Sequence, residues 1–391
     1  MRIVVLGGAG VMGSAAVMDL VRSGVSEVIV ADYNLEGAKQ VADQYKGQKS
    51  RVSAQFVDAN DSKSLVQTMR NADAVASAIG PFHKYGVKVL KGAIDVGVDF
   101  VDLNDDYDAT RDALALDDRA EKANVTAIIG LGASPGLTNI LAKCGTDKLD
   151  RVNEIHTAWA VVITDPSGPA ALDHWFHCIT GMVPTYRNGK WVDLPAGSGP
   201  EIVDFPPKIE VFHVGHPEPV TLPRYIEGVK VVTNKGGIVP AWLNQLYLRL
   251  VDLGFGSTKT LKVKGISITP RDFTLGLFHA LGDFASPEAL GRMLEEAKET
   301  MGGMRIDVLG EKDGKATKLT YRLGASVEVA GAMAATTSIP LSIGAQMLAR
   351  GEIKVGGVFA PEGCVNSKAF LDQLKKRGFE IYETVEETHF I

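Results

Sequence analysis

The sequence predicts the α/β class, a doubly wound parallel sheet at the start of the chain followed by a second, more antiparallel domain. Three observations predict it. The opening run Arg2-Ile3-Val4-Val5-Leu6 is almost wholly apolar and bounded by glycine, the pattern of a strand buried on both faces of a parallel sheet. The next run, Gly7-Gly8-Ala9-Gly10-Val11-Met12-Gly13, places G-x-G-x-x-G at Gly8, Gly10 and Gly13, between that strand and a helix. Past Asp150 the strand-helix alternation gives way to long β-like runs over 154–164, 208–214 and 228–233.

Each element of the first domain has a local cause. Residues 14–21 keep helical periodicity with small side chains where a helix must lie close to a sheet, and Gly24 ends the helix. Gly8 permits a tight turn, Gly10 lets backbone approach a pyrophosphate, and Gly13 allows close helix-strand packing. The helix N-terminus adds free N–H groups and partial positive charge. The second strand, 27–31, delivers Asp32 about twenty residues after the last motif glycine, where an acid accepts ribose hydroxyls in a Rossmann-type dinucleotide site. A polar helix over 35–45, a strand over 52–57 ending at Asp58, a helix capped by Asp61 and running to Met69, and a strand over 74–77 continue the alternation.

That strand opens into the loop 78–86, at the carboxyl ends of the strands, where ligands sit in an open α/β sheet. A helix over 87–96, a strand over 100–102 ending in Asp102, a helix over 109–123 and a strand over 126–129 complete six strands. In the second domain, helices are expected over 240–251, 273–281 and 287–300, and a hairpin joins 304–309 to 316–323 across Asp313-Gly314.

With 391 residues the chain is long enough for two domains. Its formal charge of −6, with signs interspersed and no basic stripe, argues against nucleic acid and anionic membrane surfaces and leaves a small molecule as the partner. Cys144, Cys178 and Cys364 are far apart and lack C-x-x-C spacing, so neither a disulfide framework nor a thiolate zinc site is indicated, and a reducing compartment fits. No charged leader with an apolar core precedes the first strand, so the expected location is cytoplasmic. The stretch 329–348 has spanning length, but Gly331, Thr336, Thr337, Pro340, Gly344 and Gln346 dilute it, and a buried helix after a loop is expected instead.

Several segments together resemble the saccharopine dehydrogenase family, which includes saccharopine reductase-type enzymes and lysine 6-dehydrogenase. They are residues 8–13, Gly80-Pro81-Phe82 with Gly86, 93–102, 132–139, 339–348 and 356–362, with a looser likeness at Trp175 and over 188–195. The resemblance implies nicotinamide-dependent oxidation of a C–NH bond of an amino acid, or the reverse reduction of an imine adduct. It also implies that the second domain is inserted. The expected limits are 1–140 for the NAD(P)-binding domain, 141–328 for an α+β substrate and dimerisation domain, and 329–391 for a return helix and C-terminal segment packed on the first domain. A homodimer is expected.

The candidate cofactor contacts are Gly8, Gly10, Val11, Met12 and Gly13, then Asp32 and Tyr33, Asp58 and Ala59, Ala78, Gly80, Pro81 and Phe82, and finally Pro135. Asp32-Tyr33-Asn34 offers no cation for a 2′-phosphate before Lys39, so NAD is favoured, with NADP possible. Asp102, His83 and Tyr85 are the titratable residues nearest the expected nicotinamide and are the catalytic candidates. Asp102 could instead cap a loop, and His83 could be a solvent-exposed loop histidine. His174 with His177, and His213 with His216, form two H-x-x-H pairs. A metal is not expected, because a third ligand is missing and the second pair falls in a strand where positions three apart face opposite ways. His174 and His177 are read as pocket polarity, and Arg224 as the cation for a substrate carboxylate. A nucleotide-binding sensor or structural protein, and an oxidoreductase on a carbonyl or enoyl substrate, stay open as alternatives.

Overall fold

The computed structural model describes residues 1–205, 207–298, 301–325 and 333–388. The expected start of the return helix at 329–332, and the last two residues of the helix expected over 287–300, lie outside the described residues. The first domain is built on β1 (Arg2–Leu6), β2 (Glu27–Asp32), β3 (Arg51–Phe56), β4 (Ala74–Ser77), β5 (Phe100–Asp102) and β6 (Thr126–Ile128), all parallel, with β1 between β2 and β4. Its helices are α1 (Val11–Arg22), α2 (Leu35–Asp43), α3 (Ser62–Met69), α4 (Phe82–Val96), α5 (Tyr107–Leu114), α6 (Asp117–Lys122) and α7 (Leu137–Thr146). Strand alternation sends Ile3 and Val5 into a core with Ala16, Val17 and Leu20 of α1, and Val4 and Leu6 into a second core with Leu65 of α3 and Leu90 of α4. Both faces of β1 are therefore covered, which explains its unbroken apolar run.

Two boundaries differ from expectation for local reasons. Helix α4 begins at Phe82 rather than 87, because Pro81 takes the N-cap and the free N–H of His83 finds Asp106 Oδ2 at 2.8 Å. The helix expected over 109–123 is split into α5 and α6 around Leu116.

The second domain begins with β7 (Arg151–Val162), α8 (Pro169–Cys178), β8 (Met182–Arg187), β9 (Lys190–Pro195), β10 (Glu201–Asp204) and β11 (Lys208–His213). It continues through α9 (Glu218–Tyr225), β12 (Val231–Val239), α10 (Trp242–Asp252), β13 (Leu261–Val263), β14 (Ile266–Ile268), α11 (Pro270–His279), α12 (Leu281–Phe284) and α13 (Pro287–Lys298). The expected hairpin is β15 (Gly303–Lys312) with β16 (Lys315–Ala325), turning at Asp313 and Gly314, both with positive φ. The large sheet is mixed: β12 and β7 are parallel and the remaining pairs antiparallel. Met304, Ile306 and Val308 alternate inward from β15 and join the core that contains Ile140 and Leu141 of α7, so the two sheets share apolar packing.

The chain then returns through α14 (Met333–Ala349), β17 (Gly357–Phe359), α15 (Pro361–Cys364), α16 (Ser367–Lys375) and β18 (Phe379–Thr388). Helix α14 lies against α1, where Ser338 Oγ donates to the Met12 carbonyl at 2.7 Å and Ser342 Oγ to Asp19 Oδ2 at 2.6 Å. Two expectations are corrected here. The parallel sheet has seven strands rather than six, because β17 adds beside β6. The C-terminal segment does not pack on the first domain alone, because β18 pairs antiparallel with β16 from Ala316↔Thr388 to Ala325↔Phe379. Among the described residues no helix is long and apolar enough to cross a membrane.

Candidate active site between the two sheets

Strand order reverses between β1 and β4, and in such sheets the crevice outside the carboxyl ends at the reversal is the ligand site. A cavity of about 1400 Å³ opens there. One wall carries Gly7, Gly10 to Gly13, Asp32, Tyr33, Asp58, Ala59, Ala78 and Gly80 to Phe82, together with Tyr85. The opposite wall comes from the second domain and includes Trp159, Trp175, His174, His216, Tyr247 and Arg322.

The first wall fits a dinucleotide. A Cβ on Gly13 would lie 2.0 Å from the Gly7 carbonyl oxygen, so glycine alone lets α1 start tight against β1. Gly10 differs: a Cβ there meets only Gly7 O, at 3.3 Å, and otherwise faces the cavity, leaving backbone free to approach a phosphate. Asp32 is fixed by backbone, with Oδ2 accepting from Ala9 N at 3.0 Å and Oδ1 from Asn34 N at 2.8 Å. Two expected contacts are corrected. Gly8 does not line the cavity but packs on β2, where its Cβ would fall 2.7 Å from Val30 Cγ1, and Gly7 takes its place. Pro135 is also off the cavity, which its neighbour Ser134 lines.

A dense cluster of titratable groups beside the cavity is organised by the turn after β5. Asp106 is fully buried at the N-cap of α5. Its Oδ2 accepts from the backbone N of His83 and lies 3.0 Å from His83 Nδ1, while its Oδ1 lies 2.8 Å from His174 Nδ1. Asp105 Oδ1 is 3.3 Å from the same His174 nitrogen. Burial opposes both charges, yet the imidazoles hold the Asp106 carboxyl well below the usual range, and the acids, Asp105 first, hold His174 well above the usual imidazole range. A second pair lies beside the first: His216 Nδ1 meets Glu218 Oε2 at 2.8 Å, and Glu218 Oε1 accepts from Ser134 Oγ at 2.5 Å and Thr138 Oγ1 at 2.9 Å. Burial would raise Glu218, but His216 and the Ser134 hydroxyl bring it below its ordinary value. The rings of His174 and His216 are 5.5 Å apart, edge to face, and Trp159 packs 5.4 Å from His216. Because Glu218 accepts at Nδ1, His216 directs an N–H there, which leaves Nε2 as the ring nitrogen able to exchange a proton.

Ligand atoms of His83, Asp106 and His177 lie within 4.8 Å of one another, as do those of Asp105, Asp106 and His174, so either set has metal-compatible spacing. The hydrogen bonds above already satisfy Asp106 within these sets. His83 and His177 stack at 4.3 Å, and His177 Nε2 turns to Asp108 Oδ2 at 3.1 Å.

Several candidates are displaced. Asp102 is not on the cavity: it is 2 % exposed, and its Oδ1 accepts from Asn104 N at 3.0 Å and Gly130 N at 2.8 Å, bracing the end of β5 against the chain leaving β6. His83 and His177 sit behind the wall, whereas Tyr85 and His174 line it. Arg224 is exposed at the last turn of α9 and does not reach the cavity. His213 and His216 do not share a strand, because β11 ends at His213. The residues that sequence reasoning passed over are Asp105, Asp106, Glu218 and Arg322. A signal existed for the first two, an acidic pair just past a strand end on the ligand side of the sheet.

Burial lifts the Asp102 carboxyl from its ordinary 3.8 to about 7. The folded protein thus holds a proton that the unfolded chain has already released, so this group makes stability fall as pH rises from about 4 to 7, with no further loss above that. Asp102→Asn keeps the acceptor oxygen and removes the slope. The variant should match the parent near pH 4 and exceed it by roughly 2–4 kcal/mol at pH 8, measured as urea midpoints. An unchanged slope would show that Asp102 ionises without penalty.

The chain matches the family model described as "Saccharopine dehydrogenase NADP binding domain" over residues 3–128 and "Saccharopine dehydrogenase C-terminal domain" over residues 132–379. It belongs to the saccharopine dehydrogenase family and is an NAD(P)-dependent dehydrogenase. Among solved structures it is similar to an L-Glu-forming saccharopine dehydrogenase from Saccharomyces cerevisiae, at 18 % identity and a TM-score of 0.68, covering 98 % of this chain and 99 % of that one. It is also similar to an amine dehydrogenase from Mycobacterium smegmatis, at 12 % identity and a TM-score of 0.47, covering 93 % and 96 %.

Proposed function

We propose that this chain oxidises a C–NH bond of an amino acid, or reduces an imine adduct of one, with a nicotinamide dinucleotide. The observation that carries the reading is a set of buried polar atoms on the cavity residues with no hydrogen-bond partner. Arg322 Nε and Trp175 Nε1 are unpaired donors, and Asp105 Oδ1, ion-paired with His174 at 3.3 Å, accepts no hydrogen bond. Buried groups of this kind are rarely left unsatisfied, and two donors with one acceptor complement a carboxylate and an amine. Arg322, the one arginine or lysine among the described lining residues, replaces Arg224 as the carboxylate partner. His216, aligned by Glu218, takes the amine proton during oxidation and returns it during reduction. Trp159, Trp175 and Tyr247 exclude water around it. When bound, the dinucleotide supplies the hydride acceptor or donor. A screen of amino acids for formation of NADH or NADPH absorbance, and of amine with 2-oxo acid for its loss, tests the reading. Absence of turnover in both screens counts against it.

NAD(H) is proposed as the preferred cofactor, because the fixed Asp32 carboxylate accepts ribose hydroxyls and repels a 2′-phosphate. Isothermal titration should give tighter NADH than NADPH binding, with the gap narrowed in Asp32→Ala. Equal or tighter NADPH binding sinks this assignment. A homodimer in the cytoplasm is also proposed: Trp242, Leu246, Phe273 and Leu277 leave large apolar side chains exposed on α10 and α11, and the three cysteines are free thiols. Sedimentation velocity should show a dimer, and a monomer at micromolar concentration would rule out this contact.

A further inference from the structure

His213, whose H-x-x-H partner His216 serves the cleft, lies in a separate pocket of about 290 Å³ on the large sheet. Arg187 at the end of β8, Lys235 on β12 and Glu201 on β10 surround it, and His156 and Thr233 are also in its wall. The proposed reaction uses none of these residues.

The pocket carries more positive charge than its acid neutralises. Lys235 Nζ donates to Glu201 Oε2 at 2.6 Å, and that glutamate side chain is itself 56 % exposed. Arg187 has no carboxylate partner among the described residues, and its hydrogen bond runs from NH2 to His213 Nε2 at 3.2 Å. The sheet register sets His213 directly opposite Lys235, a cross-strand position where two cations repel. His156 does not relieve this, since its Nδ1 is held by Thr233 Oγ1 at 2.8 Å and its Nε2 by Glu154 at 3.0 Å. Burial, Lys235 and Arg187 together push His213 down to about 4, against a smaller opposing pull from Glu201, so the imidazole is neutral and serves as a hydrogen-bond acceptor for the guanidinium.

We propose that this pocket is a second ligand site, taking a phosphate dianion, free or as a phosphomonoester, between the Arg187 guanidinium and the Lys235 ammonium. A guanidinium meets two phosphate oxygens with its fork, and an ammonium beside it supplies a point charge. Entry of the anion reverses the field at His213. The imidazole then gains a proton and turns from acceptor to donor, which brings the charge of the pocket to match a dianion.

The test uses full-length protein with 15N-labelled histidine, saturated with NADH and repeated in Gly10→Val protein, so that phosphate bound at the dinucleotide strip does not contribute. Sodium phosphate at pH 7 should move the His213 ring nitrogens toward protonated values, saturating at or below about millimolar concentration, with sodium chloride at equal ionic strength as control. Glycerol phosphate titrated in parallel decides the source: tighter binding than inorganic phosphate identifies an esterified ligand, and weaker binding identifies the free anion. Arg187→Gln and Lys235→Gln should each weaken the response at least about tenfold. The proposal is overturned if the His213 signals do not respond to either phosphate, respond equally to chloride, or respond unchanged in Arg187→Gln.

Discussion

Gly10→Val should abolish dinucleotide binding and leave the fold intact. Gly10 has φ −74° and ψ 169°, extended backbone that any residue adopts, so a valine is not strained there. Its Cβ would touch only Gly7 O, and its methyl groups would occupy the cavity wall where phosphate must approach backbone. Loss of that approach is expected to weaken NADH binding by about a hundredfold or more, followed by fluorescence titration, with the melting temperature near the parent's. Gly13→Ala makes the contrast. Its Cβ, 2.0 Å from a carbonyl oxygen, must push α1 off β1, so it should lower stability as well as binding. Normal NADH binding by Gly10→Val would falsify the assignment of this strip.

His216→Ala should lower kcat and kcat/KM together by about a hundredfold to ten-thousandfold, the usual range for a removed general acid-base group, with NADH affinity kept. Glu218→Gln loses the negative charge and keeps one acceptor oxygen, enough for the imidazole or for the two hydroxyls but not for both. Its effect should be smaller and again confined to kcat, on the order of tenfold to a hundredfold. A rise in KM alone would place His216 in substrate binding rather than proton transfer. A melting temperature lowered enough to account for the lost rate would make the pair part of the scaffold.

The candidate cofactor strip was legible because its pattern is local. A strand, a glycine turn and a helix start follow one another, and Asp32 reaches Ala9 N across only 23 residues. The proposed acid-base groups were hidden because their meaning lies in pairing over distance: Asp106 meets His174 across 68 residues, and Ser134 and Thr138 meet Glu218 across 84 and 80. Asp102 misled for a related reason. Its strand does end at the ligand edge, but the carboxylate turns to the backbone of Gly130, which no periodicity announces. Strand β17 comes after the chain has returned from the mixed sheet, outside the strand-helix alternation that marked the equally short β5 and β6, so the seventh strand was not seen. Arg322 sits in an ordinary alternating strand, and only the fold shows that the cavity abuts it.

The route of the chain also has a mechanical consequence. It passes between the parallel sheet and the large mixed sheet three times: from α7 into β7, between β16 and α14, and from α16 into β18. A body joined to another by a single cord swings freely, but one joined by three moves about an axis set by where the cords cross. Three covalent crossings restrict how far one sheet can move relative to the other. For the same reason the two halves are not separable modules. A cut at any one crossing leaves the other two in place, and removing residues 379–388 strips an edge strand from the mixed sheet while sparing the glycine strip proposed for the dinucleotide.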